Sequence, residues 1–336
     1  MRKLTFFCLL FILLLTACNG TDDIVQRFKE WKEKDTAAEN QNGNEKIFPL
    51  TGEQAPDQVD HRILSVMINN HTKARPQTGL SQADIVYEVL AEGQITRFLA
   101  LFHSEIPDTI GPVRSARPYF LEIARGFNAL YVYHGASNKI NDQVAASGIN
   151  YLDGALYDNN GWLFQRSSDR QAPHNSYLLT QGIERMAEQK GYVFTHSVNA
   201  LPFDSQAELD GTPVNHIIIT YGPRTKVRYS YKPKEGFLRS SDGEPTVDRA
   251  DGEQIAVENL WIIKADHRVM DSAGRREINL KSGGTGYLLQ KGQMKEVQWK
   301  NISGRLLPFE DGKALPFLPG KTWVNIISEN TTVERS

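Results

Sequence analysis

The chain has 336 residues, 38 Lys and Arg against 40 Asp and Glu, and a formal net charge of −2. So even a balance excludes the broad basic field of a nucleic-acid binder, and the length allows about two domains. Cys8 and Cys18 are the only cysteines, which excludes a disulfide scaffold or a thiolate metal cluster in the body of the chain.

The amino terminus sets the compartment. Arg2 and Lys3 precede the apolar run LTFFCLLFILLL, which has the length of a signal-peptide core and falls short of the roughly 20 residues of a spanning helix. Leu15-Thr16-Ala17-Cys18 resembles a bacterial lipobox. The resemblance implies removal of residues 1–17 and acylation of Cys18, with palmitate-type chains holding the protein to the extracytoplasmic face of the cell membrane.

Residues 18–60 read as an acidic tether. From 19 to 60 there are ten acidic against five basic residues, and the stretch AAENQNGNEK is too polar to bury anything, so disorder is expected. Ile24, Phe28 and Trp31 stand at helical spacing, which suits either a short interfacial helix or a marginal helix in a linker.

Residues 61–200 carry α/β patterning. RILSVMINN (62–70), ADIVYEVLAEG (83–93) and ITRFLALFHSE (95–105) are β-branched and aromatic runs that suit strands, the last two paired about Gly93, with a helix as the competing reading for 83–92 because periodicity alone does not settle so short a run. A helix is predicted next, with Ser115 as N-cap, Pro118 in the first turn and Gly126 as the stop. NALYVYHG returns as a strand, making a strand–helix–strand unit with the helix on the sheet. Further helices are predicted over 138–147 and over 176–192, the latter capped by Ser176 and stopped at Gly191.

Polar groups punctuate the ends of these elements. Arg97, Arg114, Arg117, Arg166 and Arg170, with Asn175 in APHN, are the candidate ligand-binding residues, because planar guanidinium forks suit phosphate and carboxylate. Arg114 and Arg117 flank a predicted helix start, where an anion is favoured. His134 ends a predicted strand, and ligands of open α/β sheets bind outside the strand carboxyl ends. His134, His174, Asp84 and Glu88 are the candidate catalytic groups. No cofactor or metal is called for, although Asp84 or Glu88 could hold Mg²⁺ beside a phosphate in an enzyme. Each of these residues also has a plainer reading as a salt bridge or helix cap.

Residues 201–330 change character. Short alternating strands such as NHIIITYG, KVRYSYK, NLWIIKAD, GYLLQKG, EVQWKNI and TWVNIIS are separated by Asp-Gly and Lys-Gly turns. The expectation is a smaller β-rich domain, barrel- or sandwich-like, so that the whole is α/β (α+β) with an α/β layered domain first. GRREINLKSGGTG (274–286) lacks the order of a nucleotide loop and reads as a glycine hairpin. Trp261, Trp299 and Trp323 suit either a sugar platform or core packing. The motifs of the common serine, cysteine and zinc hydrolases are missing.

The lipobox, MINNHTKARPQTGLSQADIVYEVLAEGQITRFLALFHSE, IGPVRSARPYF, LYVYHGAS, APHNSY and PGKTWVNI together resemble the YerB-like lipoproteins of Gram-positive bacteria. The resemblance covers residues 47–328 and implies an exported, lipid-anchored protein with a two-part domain of unknown function. A fainter similarity, in the order of ADIVYEVL, ITRFLALFHSEIPDT and a later arginine pair, is to the LytR–CpsA–Psr phosphotransferases. The chain departs from these at Ile106-Pro107-Asp108, which has no arginine between proline and aspartate. Two functional readings stand at this point. One is a membrane-tethered binding or scaffolding module for an anionic small molecule or an envelope protein partner. The other is an envelope phosphotransferase or hydrolase acting on a phosphorylated or glycan substrate.

Overall fold

The computed structural model describes residues 46–55, 61–196, 198–223 and 225–336. The expected signal peptide, Cys18 and the Ile24/Phe28/Trp31 segment lie outside the described residues. No helix among the described residues is long and apolar enough to cross a membrane.

Leu64–Asn69 (β1), Ile85–Leu90 (β2) and Thr96–Phe102 (β3) are buried along their whole length. Such runs suit the interior of a sheet covered on both faces. β3 lies antiparallel between β1 and β2, with Glu88 opposite Phe98. Leu130–Tyr133 (β4) runs parallel to β1, and Tyr151–Asp153 (β5) runs parallel to β4. The helices Pro118–Gly126 (α1), Asn138–Ala146 (α2) and Ile183–Lys190 (α3) accompany this part.

The following strands are His216–Gly222 (β6), Thr225–Lys232 (β7), Gly236–Ser241 (β8), Asn259–Ala265 (β9), Gly284–Gln290 (β10), Gln293–Ile302 (β11), Arg305–Glu310 (β12) and Thr322–Ser328 (β13). β9 to β13 do not close on themselves. They join β1 to β5 in one twelve-stranded mixed sheet, in which the path runs β12-β11-β10-β9-β13-β2-β3-β1-β4-β5. The seam is β13, parallel to β9 on one side and to β2 on the other, with Asn325 opposite both Ile262 and Glu88. β6, β7 and β8 form the centre of a second, six-stranded sheet. The hydroxyls of Tyr221 and Tyr229 reach Asn325 across the interior at 2.9 and 3.2 Å. The core therefore lies between the two sheets and takes side chains from both stretches of sequence. Trp261, Trp299 and Trp323 are all buried, Trp323 in this core, so none is placed to stack on a sugar.

The chain is thus mostly strand, with mixed sheets and few helices. The turns follow the sequence: both residues of Lys291-Gly292 and of Asp311-Gly312 have positive φ, as tight hairpins require. Three local expectations are corrected. α1 is capped at Arg117, with Pro118 at its first position, while the Ser115 hydroxyl donates to His134 O (3.2 Å). Ser176–Leu179 is a strand, not the start of a helix, because it pairs with both Phe164–Arg166 and Thr109–Ile110; helix α3 follows and ends at Gly191, in the left-handed conformation. Part of residues 46–55, counted in the tether above, is packed: Leu50 and Thr51 are fully buried, and Ile47 pairs with Gln54.

α1 is held to the far part of the sequence by backbone contact. A Cβ on Gly126 would lie 2.4 Å from the carbonyl of Gly304, in the turn between β11 and β12. Glycine is required there because the two backbones touch.

Candidate functional site

The parallel strands β1 and β4 part at their carboxyl ends, and Arg114 enters the gap. Its N–H donates to Met67 O (2.8 Å), and its carbonyl accepts from His134 N–H (2.9 Å). β1 then leads to Asn69, Asn70 and His71, and β4 leads to His134. Carboxyl ends of neighbouring parallel strands are where open sheets hold ligands, and the wedge puts Arg114 at those ends.

The surrounding charges are uneven. Glu92, which follows β2, takes Arg117 Nε on one oxygen (2.5 Å) and Arg97 Nη2 on the other (3.4 Å). Burial raises the Glu92 carboxyl, but Arg117 and Arg97 together hold it below its ordinary value. Arg97 is pushed down to about 10, first by burial and then by the like charge of Arg117. Burial and then Arg117 also lower Arg114, with Glu92 opposing them. Arg276, on the Arg276–Ile278 strand of a hairpin that packs on α1, completes the group. Burial raises the Tyr119 hydroxyl to about 12, against the opposing charges of Arg97, Arg117 and Arg276. Glu92 is the one carboxylate among the groups acting on Arg97, Arg114 and Tyr119. Among the described residues, no hydrogen bond or ion pair engages the half-buried Arg114 guanidinium. A set of guanidinium groups around a single carboxylate is left with net positive charge, which an anion at Arg114 would offset.

Beside Arg114 two histidine rings meet at a tilt of 31°. His71 and His174 have ring centroids 4.5 Å apart, and Arg114 lowers the pKa of both, after burial. His134 stands on the other flank, its Nε2 3.2 Å from Asp158 Oδ1. Burial raises Asp158, but Arg166 and His134 hold it below its ordinary range.

The remaining sequence candidates are structural in their contacts. Arg166 grips Asp158 with Nε and Nη2 (3.0 and 2.8 Å) and gives Nη1 to Asn175 Oδ1 (2.8 Å). Asn175 in turn ties Ser167 O and Arg170 O. Arg170 ties the carbonyls of Ala74 and Pro76 and the Tyr177 hydroxyl. Asp84 is fully buried, accepts from Ser104 N–H at 3.0 Å and from the Ser104 hydroxyl, and is raised by burial to about 6. Glu88 is also fully buried and is engaged by Arg239 (2.9 Å), Thr96 (2.7 Å) and Trp323 (2.9 Å). Four residues along an extended chain span roughly 13 Å, so Asp84 and Glu88 cannot share one ion. No group of three or more His, Cys, Asp or Glu suited to a metal occurs among the described residues. A separate groove of ≈ 730 Å³ lies between α1, α2 and the 301–304 turn, lined in part by Glu122, Arg125 and Lys281.

Two family models match the chain, the N-terminal domain of a protein of unknown function (DUF3048) over residues 50–193 and its C-terminal domain over residues 217–324. The chain belongs to the DUF3048 family. It is 42% identical over 330 residues to the "Putative lipoprotein YerB" of Bacillus subtilis strain 168, covering 96% of this chain and 93% of that one. A crystal structure of the YerB protein from Bacillus subtilis matches with a TM-score of 0.80 at 43% identity, over 86% of this chain and 99% of that one. The resemblance read from the lipobox and the internal blocks is thereby shown.

In this DUF3048 chain the sequence pointed to the arginines but missed Asn69, His71, Tyr119 and Arg276. His71 and His174 lie 103 residues apart (from the numbering), and nothing periodic links them. Arg276 sits in a stretch that reads as a glycine hairpin, and only the packing of that hairpin on α1 brings it to the site.

Proposed function

We propose that this DUF3048 protein is a lipid-anchored binding module of the cell envelope that captures an anionic group at Arg114. The observation that carries the reading is the open guanidinium of Arg114, whose backbone is wedged between the carboxyl ends of β1 and β4, close to Arg97 and Arg117 and with Glu92 as the carboxylate acting on it. Buried guanidinium groups left short of carboxylate are a standing electrostatic cost that an oxyanion relieves. Capture is favoured over catalysis because Asp84 and Glu88 are held by Ser104 and by Arg239, leaving neither free for a metal or a proton transfer. Anchoring at the extracytoplasmic face of the membrane is supported by Leu15-Thr16-Ala17-Cys18 and by the lipoprotein name of the Bacillus subtilis relative.

A thermal-shift titration of the full-length protein with phosphate and pyrophosphate tests capture. An anion at about 100 times its Kd stabilises by about 2.7 kcal/mol, a rise of several degrees, and R114A should remove it. A wild-type protein that no anion stabilises would overturn the reading. For the anchor, C18A should move the protein from the membrane fraction to the soluble one.

A further inference from the structure

Two backbone N–H groups decide the protonation pattern beside Arg114. The N–H of His71 donates to Asn69 Oδ1 (3.0 Å), which orients that amide and turns its Nδ2–H₂ toward His174 Nδ1 (2.9 Å). The N–H of Lys73 donates to His71 Nδ1 (3.1 Å). In both rings Nδ1 is therefore an acceptor, and a neutral imidazole whose Nδ1 accepts carries its proton on Nε2. Neutrality is favoured by burial and by the facing cations. Lys73, Arg75 and Arg114 bear on His71, and Arg114, Lys73 and Arg170 bear on His174 together with His71 itself. Among the described residues neither Nε2 has a hydrogen-bond partner, and both rings are half-buried.

We propose that His71 and His174 present two Nε2–H donors which, with the Arg114 guanidinium, bind the oxygens of one oxyanion, of phosphate or carboxylate type. The proposal rests on the anion-capture reading and names the groups that touch the ligand. The two Nε2–H groups and the guanidinium are all donors, so together they suit an acceptor-only ligand. It does not suit a metal ion: coordination through Nε2 would move the proton to Nδ1, where it would face the Lys73 N–H in one ring and the Asn69 amide N–H in the other. Phosphate is favoured over carboxylate because three separate donors match a tetrahedral group of three free oxygens better than a planar pair.

The test is isothermal titration of the full-length protein with inorganic phosphate, acetate and Zn²⁺, beside long-range ¹⁵N spectra of the histidine rings. Expected are Nε2–H tautomers for His71 and His174 in the free protein, phosphate binding that shifts both Nε2 resonances, and weaker binding of acetate. H71N and H174N, whose amides reach only the Nδ1 position, should each weaken phosphate about tenfold, the worth of one hydrogen bond to a charged group. H71Q and H174Q, which place a donor near the Nε2 position, should weaken it less. Phosphate binding that is lost in R114A but unchanged in H71N and H174N would overturn this proposal and leave anion capture standing. No binding of either anion by the wild type would overturn both. Nδ1–H tautomers, acetate bound as tightly as phosphate, or Zn²⁺ bound through the pair would overturn the donor arrangement even if the variants fail to fold.

Discussion

Glu88 and Arg239 form a fully buried ion pair across the interior, with Arg239 Nη2 2.9 Å from each carboxylate oxygen. Glu88 belongs to β2 of the large sheet and Arg239 to β8 of the small one. The guanidinium lies 4.7 Å above the Trp323 ring, and the Trp323 indole N–H donates to the same carboxylate. The pair thus ties three strands from the two family-matched regions into one core.

Removing one partner would strand the other. R239M should lower unfolding free energy by about 3–5 kcal/mol, as an uncompensated buried carboxylate does. E88Q combined with R239M should cost less than the sum of the single changes, because the charge is then gone from both sides. Urea unfolding of the four proteins checks this; simple additivity would mean that the two side chains do not couple.

The approach of Gly126 to Gly304 leaves no room for a methyl group. G126A should destabilise by about 1–3 kcal/mol, since backbone and not a pliable side chain must move, and it should loosen α1 against the β11–β12 turn. Hydrogen exchange would show faster opening over Pro118–Gly126. Unchanged protection there would mean that α1 is held by its buried face alone.

Acid sensitivity has a sign that the buried groups fix. Burial lowers His103 and His267 from 6.5 to about 4, so each shed proton favours the folded state above their ordinary range, and this stability is lost as pH falls from 6.5 toward 4. Burial raises Asp84 from 3.8 to about 6, which works the other way over nearly the same window, its contribution falling as pH rises. Two groups oppose one, each at most about 1.4 kcal/mol per pH unit. The wild type should therefore lose stability below pH 6.5, and D84N should lose it more steeply, in melting curves from pH 4.5 to 6.5. A shallower slope for D84N would reverse the assignment of Asp84.

Glu92 screens the arginine cluster. E92Q keeps the size of the side chain and removes its charge, so phosphate affinity at low salt should rise a few-fold, with a steeper loss on adding salt. Titration at two salt concentrations decides it. A fall in affinity would show that Glu92 positions Arg97 and Arg117 more than it neutralises them.

Arg170 ties together three groups, the carbonyls of Ala74 and Pro76 and the Tyr177 hydroxyl of the Ser176–Leu179 strand. R170A should lower stability by about 1–3 kcal/mol through those unsatisfied acceptors, measured by urea unfolding. No change would mean that water replaces the guanidinium.

The sequence by itself determined the local pattern: the strands of β1 and β3, a helix with Pro118 in its first turn, the hairpin turns and the membership carried by long blocks such as IGPVRSARPYF. These depend on neighbouring residues, through side-chain alternation, turn chemistry and the missing proline N–H. The tertiary structure decided what distant residues do. Glu88 reads as a polar interruption in an apolar run, and only Arg239, 151 residues away, makes it a core ion pair rather than a site carboxylate. Ser176–Leu179 looks like a helix start until two other strands claim its backbone. β13 joins a sheet that the composition shift near residue 200 appears to divide, because hydrogen bonding between strands takes no account of sequence distance. The cluster at Arg114 was half legible, since arginines at element ends can be read from the chain. Its histidine pair and Arg276 could not be, because those residues meet only where β1 and β4 part and a hairpin folds onto α1.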